Sequence, residues 1–257
     1  MTTIIAISNQ KGGVAKTTTC QSLGACLAEQ GQGVLLIDLD PQAHLTMSMG
    51  LEPEKLHRSM VDALLGNTSV LSVSRETPIL GLDIVPANQE LALIDKIFYK
   101  RDGYEYYLKR RLATISRELY DYILIDCAPS FGTITLNALT AADTLLIPIQ
   151  CEYYAARALH RIVGLAKLVK EKTNPGLSFH LLVTMYDRRN RICRIIMDRM
   201  QRQLSHLLYE TIIEVDTKLR ESPACGQAIT QYAPNTRGAQ QYHALARELI
   251  RNGREKT

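Results

Sequence analysis

Short apolar runs rich in β-branched residues recur along the chain at residues 3–8, 34–38, 82–86, 122–127, 144–149, 180–185 and 211–215. Longer helix-like stretches lie between them, at 16–30, 104–119, 133–141, 155–172, 191–208 and 239–252. Strands alternating with helices predict a mostly parallel sheet with helices on both faces, an α/β doubly wound fold. Several of the runs are unbroken in their apolar character, as expected where both faces of a sheet are buried. Gly31 and Gly33 punctuate the passage from the first helix to the second strand. With 257 residues the chain is long enough for one such domain, read here as 1–257, with a sizeable core. In sheets of this kind ligands gather at the carboxyl ends of the strands.

The most informative chemistry falls at such an end. Residues 8–19 read Ser-Asn-Gln-Lys-Gly-Gly-Val-Ala-Lys-Thr-Thr-Thr and join the first strand to the first helix. A loop there aims backbone N–H groups at an anion, and the helix N-terminus adds a favourable dipole. Gly12 and Gly13 let the backbone approach phosphate oxygens, with Val14 and Ala15 completing the loop. Lys16 is placed to reach β- and γ-phosphates, Thr17 to ligate Mg²⁺ and Thr18 to meet the α-phosphate of ATP. The plain phosphate-loop pattern G-x-x-x-x-G-K-S/T fails, because its glycines fall on Gln10 and Ala15. The pattern that fits is K-G-G-x-x-K-S/T-S/T, with an additional lysine at Lys11. A methyl at position 15 is tolerated where φ is negative.

Carboxylates stand behind the loop. Asp38 and Asp40 share one side of the second strand, and Pro41 ends it. Asp126 closes an apolar strand and suits Mg²⁺ held through water. The stretch 187–202 holds six arginines against Asp187 and Asp198. Arg191, Arg194, Arg199 and Arg202 roughly share a helix face, a stripe suited to a phosphate backbone. Few aromatics lie there, which argues against single-strand stacking.

These stretches resemble the ParA/Soj type of the ParA/MinD superfamily of deviant-Walker ATPases, over nearly the whole chain from Thr3 to Asn252. The resemblance implies that Lys11 reaches across an ATP-sandwich homodimer to the partner's phosphates, a catalytic role shared with Lys16. It gives Asp40 the orientation or activation of the hydrolytic water, and leaves Asp38 to support the metal shell or the loop. Residues 150–154, Gln-Cys-Glu-Tyr-Tyr, would line the dimer face or form a structural loop. The family's non-specific DNA contacts fall on Arg189 and Lys218, with Arg191 and Arg220 beside them. A ParB-like protein, or another cargo adaptor, would stimulate hydrolysis. The chain departs from the family at Ala128, where a proline is usual, and at Asp216, where an asparagine stands near adenine. The phosphate loop begins at residue 8, which leaves no room before it for a helix-turn-helix domain, so operator-specific binding is not expected.

Composition narrows the alternatives. A net charge of +4 is too small alone to imply nucleic acid. The six cysteines form no C-x-x-C pair, so zinc and disulfide frameworks are not expected. No histidine neighbours Cys127 in sequence to make it a nucleophile. There is no signal-like or membrane-spanning run, and the expected location is cytoplasmic and nucleoid-associated. A MinD-like membrane cycler would need a strongly apolar C-terminal helix, whereas the tail offers only Leu245, Leu249 and Ile250. An iron-protein-like reductase would need glycine-flanked cluster cysteines. A metabolic P-loop enzyme would need a substrate loop that the chain does not display.

Overall fold

The computed structural model describes residues 2–66, 68–99, 101–116, 118–152 and 155–254, with backbone alone at 155–158 and 254. Seven strands form one sheet: β1 (Thr3–Ile7), β2 (Val34–Leu39), β3 (Arg75–Glu76), β4 (Leu82–Val85), β5 (Tyr122–Cys127), β6 (Thr144–Ile149) and β7 (Ser178–Val183). Their spatial order is β3-β4-β2-β5-β1-β6-β7. All pair in parallel except the edge strand β3, which runs antiparallel to β4. The doubly wound α/β expectation therefore holds.

The helices are α1 (Lys16–Glu29), α2 (His44–Ser48), α3 (Met60–Leu65), α4 (Val70–Val73), α5 (Leu91–Phe98), α6 (Tyr107–Leu112), α7 (Thr133–Ala141), α8 (Ala155–Lys172), α9 (Arg191–Leu204), α10 (Lys218–Glu221), α11 (Ile229–Tyr232) and α12 (Arg237–Arg254). Strand alternation divides the core between the two faces of the sheet. Leu35, Ile37, Ile123 and Ile125 meet Phe98, Leu108, Ala138 and Ile162 on one face. Leu36, Leu124, Ile5 and Ile7 meet Leu23, Leu27, Tyr242 and Leu245 on the other. The Thr19 and Tyr242 hydroxyls share a buried hydrogen bond of 2.9 Å, which ties α12 to the helix that follows the phosphate loop.

The order of strands places the site. β1 lies between β5 and β6, and in register Ile7 stands beside Asp126, which stands beside Asp38. The phosphate loop and both strand-end acids thus emerge side by side.

Two expected elements change form. Residues 211–215 make only isolated contacts along the end of β7 and the residues after it, with Ile213 N–H donating to Val183 and Val215 N–H to Tyr186. The amides of Glu210 and Thr211 donate instead to the Glu248 carboxylate, and that of Glu214 to Gln241 Oε1. Side chains of α12 thereby take N–H groups that a strand ladder would use. The helix expected over 104–119 is a 3₁₀ turn, Tyr104–Tyr106, followed by α6. It ends where the Thr114 hydroxyl takes the Arg111 carbonyl at 2.8 Å, competing with the helical ladder.

Candidate nucleotide site and charged surface

The loop between β1 and α1 is strapped from behind. Asn9 donates to the Pro148 carbonyl (2.8 Å), Gln150 Nε2 to the Gly13 carbonyl (3.0 Å) and the Thr184 hydroxyl to the Val14 carbonyl (3.1 Å). The ends of β6 and β7 therefore hold its shape. On its open side a Cβ added at Gly12 or Gly13 meets nothing within 4 Å, and Gly13 has φ 71°. The first turn of α1 carries no side-chain cap and no acid. Its free N–H groups and the open glycine cradle form an anion site that no group occupies among the described residues.

Ala15 sits at φ 65°, ψ 34°, in the left-handed region. The negative φ named as the condition for tolerating this methyl is not met. The straps on Gly13 and Val14, and the 2.9 Å bond from Thr19 N–H to the Ala15 carbonyl, fix this conformation against a cost of about 1 kcal/mol.

Lys16 is buried, and its ammonium donates to the Lys11 carbonyl at 3.2 Å. Burial holds its pKa below the usual lysine value, against the opposing charges of Asp126 and Asp40. The Thr17 hydroxyl donates to Asp126 Oδ2 at 2.6 Å. Asp126 Oδ1 is buried without a hydrogen-bond partner among the described residues. Burial, reinforced by the neighbouring Asp38 charge, pushes the Asp126 carboxyl well above the usual range. A hydroxyl on a carboxylate with an orphaned oxygen, beneath an open anion cradle, fits a hard divalent cation bound together with phosphate.

Asp38 and Asp40 differ in environment. Asp38 is fully buried; Oδ1 accepts the Asp40 amide at 3.0 Å, and Oδ2 accepts the Thr46 amide and hydroxyl at 2.8 and 2.7 Å. Burial pushes its carboxyl up to about 6. The geometry sets Asp38 to shape the turn after β2. Thr46, which the sequence reading missed, extends this network by accepting the Ala87 amide at 2.9 Å. Asp40 is 7% exposed, and Oδ1 accepts the Gln42 amide at 2.9 Å.

Lys11 turns inward to its own chain. Its ammonium donates to Gln150 Oε1 at 2.9 Å and forms an ion pair with Glu152. Tyr153 and Tyr154 of the 150–154 stretch lie outside the described residues, and Thr18 directs no described side-chain bond. Cys127 is buried, and burial raises its thiol far above the usual cysteine value, so it remains a neutral packing group.

The basic residues lie beyond the ends of β7 and the 211–215 segment. Arg189 grips Asp187 through Nε (3.0 Å) and Nη2 (3.1 Å). Lys218 pairs with Glu221 at 2.7 Å. Arg188 and Arg237 converge on the buried Glu214 at 2.6 and 2.9 Å. The bridge from Tyr186 to Glu214 sets the Arg189 loop beside the Lys218 segment. Along α9, Cys193, Met197 and Met200 face the core while Arg191, Arg194, Arg199 and Arg202 face solvent, and Arg220 is exposed on α10. Asp216 commits both oxygens to backbone, accepting the Lys218 amide at 2.9 Å and the Gly238 amide at 2.8 Å. The sequence did not reveal the ion-pair partners of Glu152 and Glu214, Lys11 for the first and Arg188 with Arg237 for the second, because they lie far away along the chain.

A family model described as an AAA domain matches residues 2–179. The chain is 40% identical over 251 residues to the sporulation initiation inhibitor protein Soj of Bacillus subtilis, covering 97% of this chain and 99% of that one. It is 37% identical to the chromosome partitioning protein ParA of Myxococcus xanthus, covering 99% and 90%. Among solved structures, a cobyrinic acid a,c-diamide synthase from Mycobacterium smegmatis with bound ADP and magnesium superposes with a TM-score of 0.85 at 36% identity, covering 100% of this chain and 97% of that one.

Proposed function

Given that the chain belongs to the ParA/Soj family of P-loop ATPases, we propose that it is a partitioning ATPase whose ATP-bound homodimer holds DNA non-specifically. The observation that carries this reading is the Thr17–Asp126 pair beneath an open glycine cradle at an uncapped helix N-terminus. ATP with Mg²⁺ fits that cradle. The backbone of residues 12–17 cups the phosphates, and Lys16 leaves the Lys11 carbonyl to meet them. Thr17 and Asp126 would hold Mg²⁺, which when bound neutralises charge developing between the β- and γ-phosphates. Asp40 orients the attacking water from its place after β2. Lys11 leaves Glu152 and reaches the phosphates bound by the partner protomer. Arg189, Arg191, Lys218 and Arg220 then meet DNA phosphates from both protomers. A ParB-like protein or another cargo adaptor accelerates hydrolysis and release, at a nucleoid-associated cytoplasmic location.

The membrane-cycling alternative gains no support from α12, because Leu245 and Leu249 are buried against the core. Among the described residues no helix is long and apolar enough to cross a membrane. A metabolic reading is favoured only by the name of the Mycobacterium smegmatis relative.

Binding to random-sequence duplex DNA, measured with ATP, ADP or no nucleotide across a salt series, separates these readings. The expected result is binding that requires ATP and weakens with a slope of roughly −0.9 per phosphate contact, so that the dimer's slope is about twice the monomer's. Absence of binding in every state would remove DNA as the matrix and bring forward the metabolic reading.

A further inference from the structure

We propose that Asp187 and Glu221 are built-in competitors of DNA phosphate, which hold Arg189 and Lys218 and set a low DNA affinity in the lone protomer. The inference rests on the reading of Arg189 and Lys218 as DNA contacts, and adds the residues that oppose them.

The geometry at Arg189 is that of a phosphate grip already filled. Guanidinium Nε and Nη2 face Asp187 Oδ1 and Oδ2 at 3.0 and 3.1 Å, the two-pronged arrangement in which arginine holds phosphate. Asp187 Oδ1 also accepts the Arg189 amide at 3.0 Å, so the carboxylate is fixed at the loop and cannot swing clear as a free side chain would. Lys218 is closed off by a triangle. Its ammonium lies 2.7 Å from Glu221 Oε2 and 5.7 Å from the centre of the Tyr232 ring, and the Tyr232 hydroxyl donates to the same Glu221 oxygen at 2.8 Å. The side chain of Arg189 is 88% exposed and that of Lys218 45%, so neither acid serves to neutralise a buried charge.

Pairing is not forced by crowding in this region. Arg191, Arg194, Arg199 and Arg202 stand on α9 with Asp198 among them, yet none of their guanidinium groups has an ion-pair or hydrogen-bond partner among the described residues. The acids at 187 and 221 are therefore set against the two cations that the DNA reading needs most. Lys11, the cation assigned to the partner protomer's phosphates, is likewise held in its own chain by Glu152.

The consequence is a threshold. A phosphate that takes Arg189 must displace Asp187 and then lie beside its uncompensated charge, so each site returns little. One protomer offers two such sites and an ATP dimer offers four. Lowering the return at every site leaves the lone protomer with too little affinity to hold DNA, while an ATP dimer that sums four sites still binds.

The test compares wild type with Asp187→Asn/Glu221→Gln, whose amides keep an acceptor for the Arg189 amide and the Tyr232 hydroxyl. The control is Glu76→Gln/Glu118→Gln, the same change in net charge at other exposed positions. Fluorescence polarisation with a labelled random-sequence duplex is read with ATP, ADP and no nucleotide over a salt series, and sedimentation of the same samples reports the dimer. Relief of an exposed pair is worth up to about fivefold, so four pairs predict a gain on the order of tenfold or more at equal dimer content. The gain should exceed that of the control and be present without ATP. A double variant that binds no more tightly than the control, while wild type binds with ATP, overturns the inference and leaves the DNA reading standing. If wild type and both variants bind in no state, the DNA reading falls and takes the inference with it.

Discussion

Ala15 carries a side chain where the phosphate loop demands a left-handed backbone, φ 65°. Glycine has no steric penalty there, so Ala15→Gly should stabilise the protein by up to about 1 kcal/mol and leave ATP binding intact. Urea unfolding and calorimetric ATP titration check the two halves. Asp38 shows a second effect of a single position. It is pushed up to about 6 by burial, from an ordinary value of 3.8. Between those values the folded chain holds a proton that the unfolded chain releases, so this contribution to stability is present at low pH and is lost as pH rises through about 6. The stability difference between wild type and Asp38→Asn should accordingly shrink by on the order of 1–3 kcal/mol from pH 4 to pH 7. A difference that grows with pH would contradict the assignment.

At the scale of elements, α7 begins at a glycine that offers no side-chain cap. Asp95 of α5 supplies it: Oδ1 accepts the Thr133 amide at 2.9 Å and also the Thr133 hydroxyl. Its carboxylate lies so close to Gly132 that an added Cβ would come within 2.6 Å. The segment between Asp126 and α7 is thus anchored at its far end by another helix. Asp95→Ala should cost about 1 kcal/mol, as lost N-caps do, and should speed amide exchange at the start of α7. Unchanged exchange there would show that the cap is dispensable.

At the scale of the whole molecule, the proposal requires two protomers to close over two nucleotides. Asp40→Ala should keep ATP binding and accumulate a stable dimer, because the water it is assigned to orient is no longer activated. Sedimentation in saturating ATP checks this, and a monomeric Asp40→Ala protein would refute the role. The α/β architecture, the phosphate loop and the strand-end acids were legible in the sequence because each is a local pattern. Apolar runs report strands buried on both faces, and glycines with lysine at a strand-to-helix junction report an anion site. The edge strand β3 and the short helices α2 to α5 were not legible, since a two-residue strand shows no alternation and helices of four to eight residues complete at most about two turns.

What the sequence determined by itself is therefore the chemistry available and its order along the chain: Lys11, Lys16, Thr17, Asp40, Asp126 and the arginine-rich stretch. Tertiary structure alone decided who meets whom. Glu152 lies 141 residues from Lys11, and Asp126 lies 109 residues from Thr17. The left-handed Ala15 is likewise imposed by straps from β6 and β7 rather than by its own preference. A pattern in one dimension reports propensity and periodicity. The charge pair and hydrogen bond that restrain Lys11, and the long-range straps that shape its loop, depend on distances that exist only after the sheet has brought distant strand ends together.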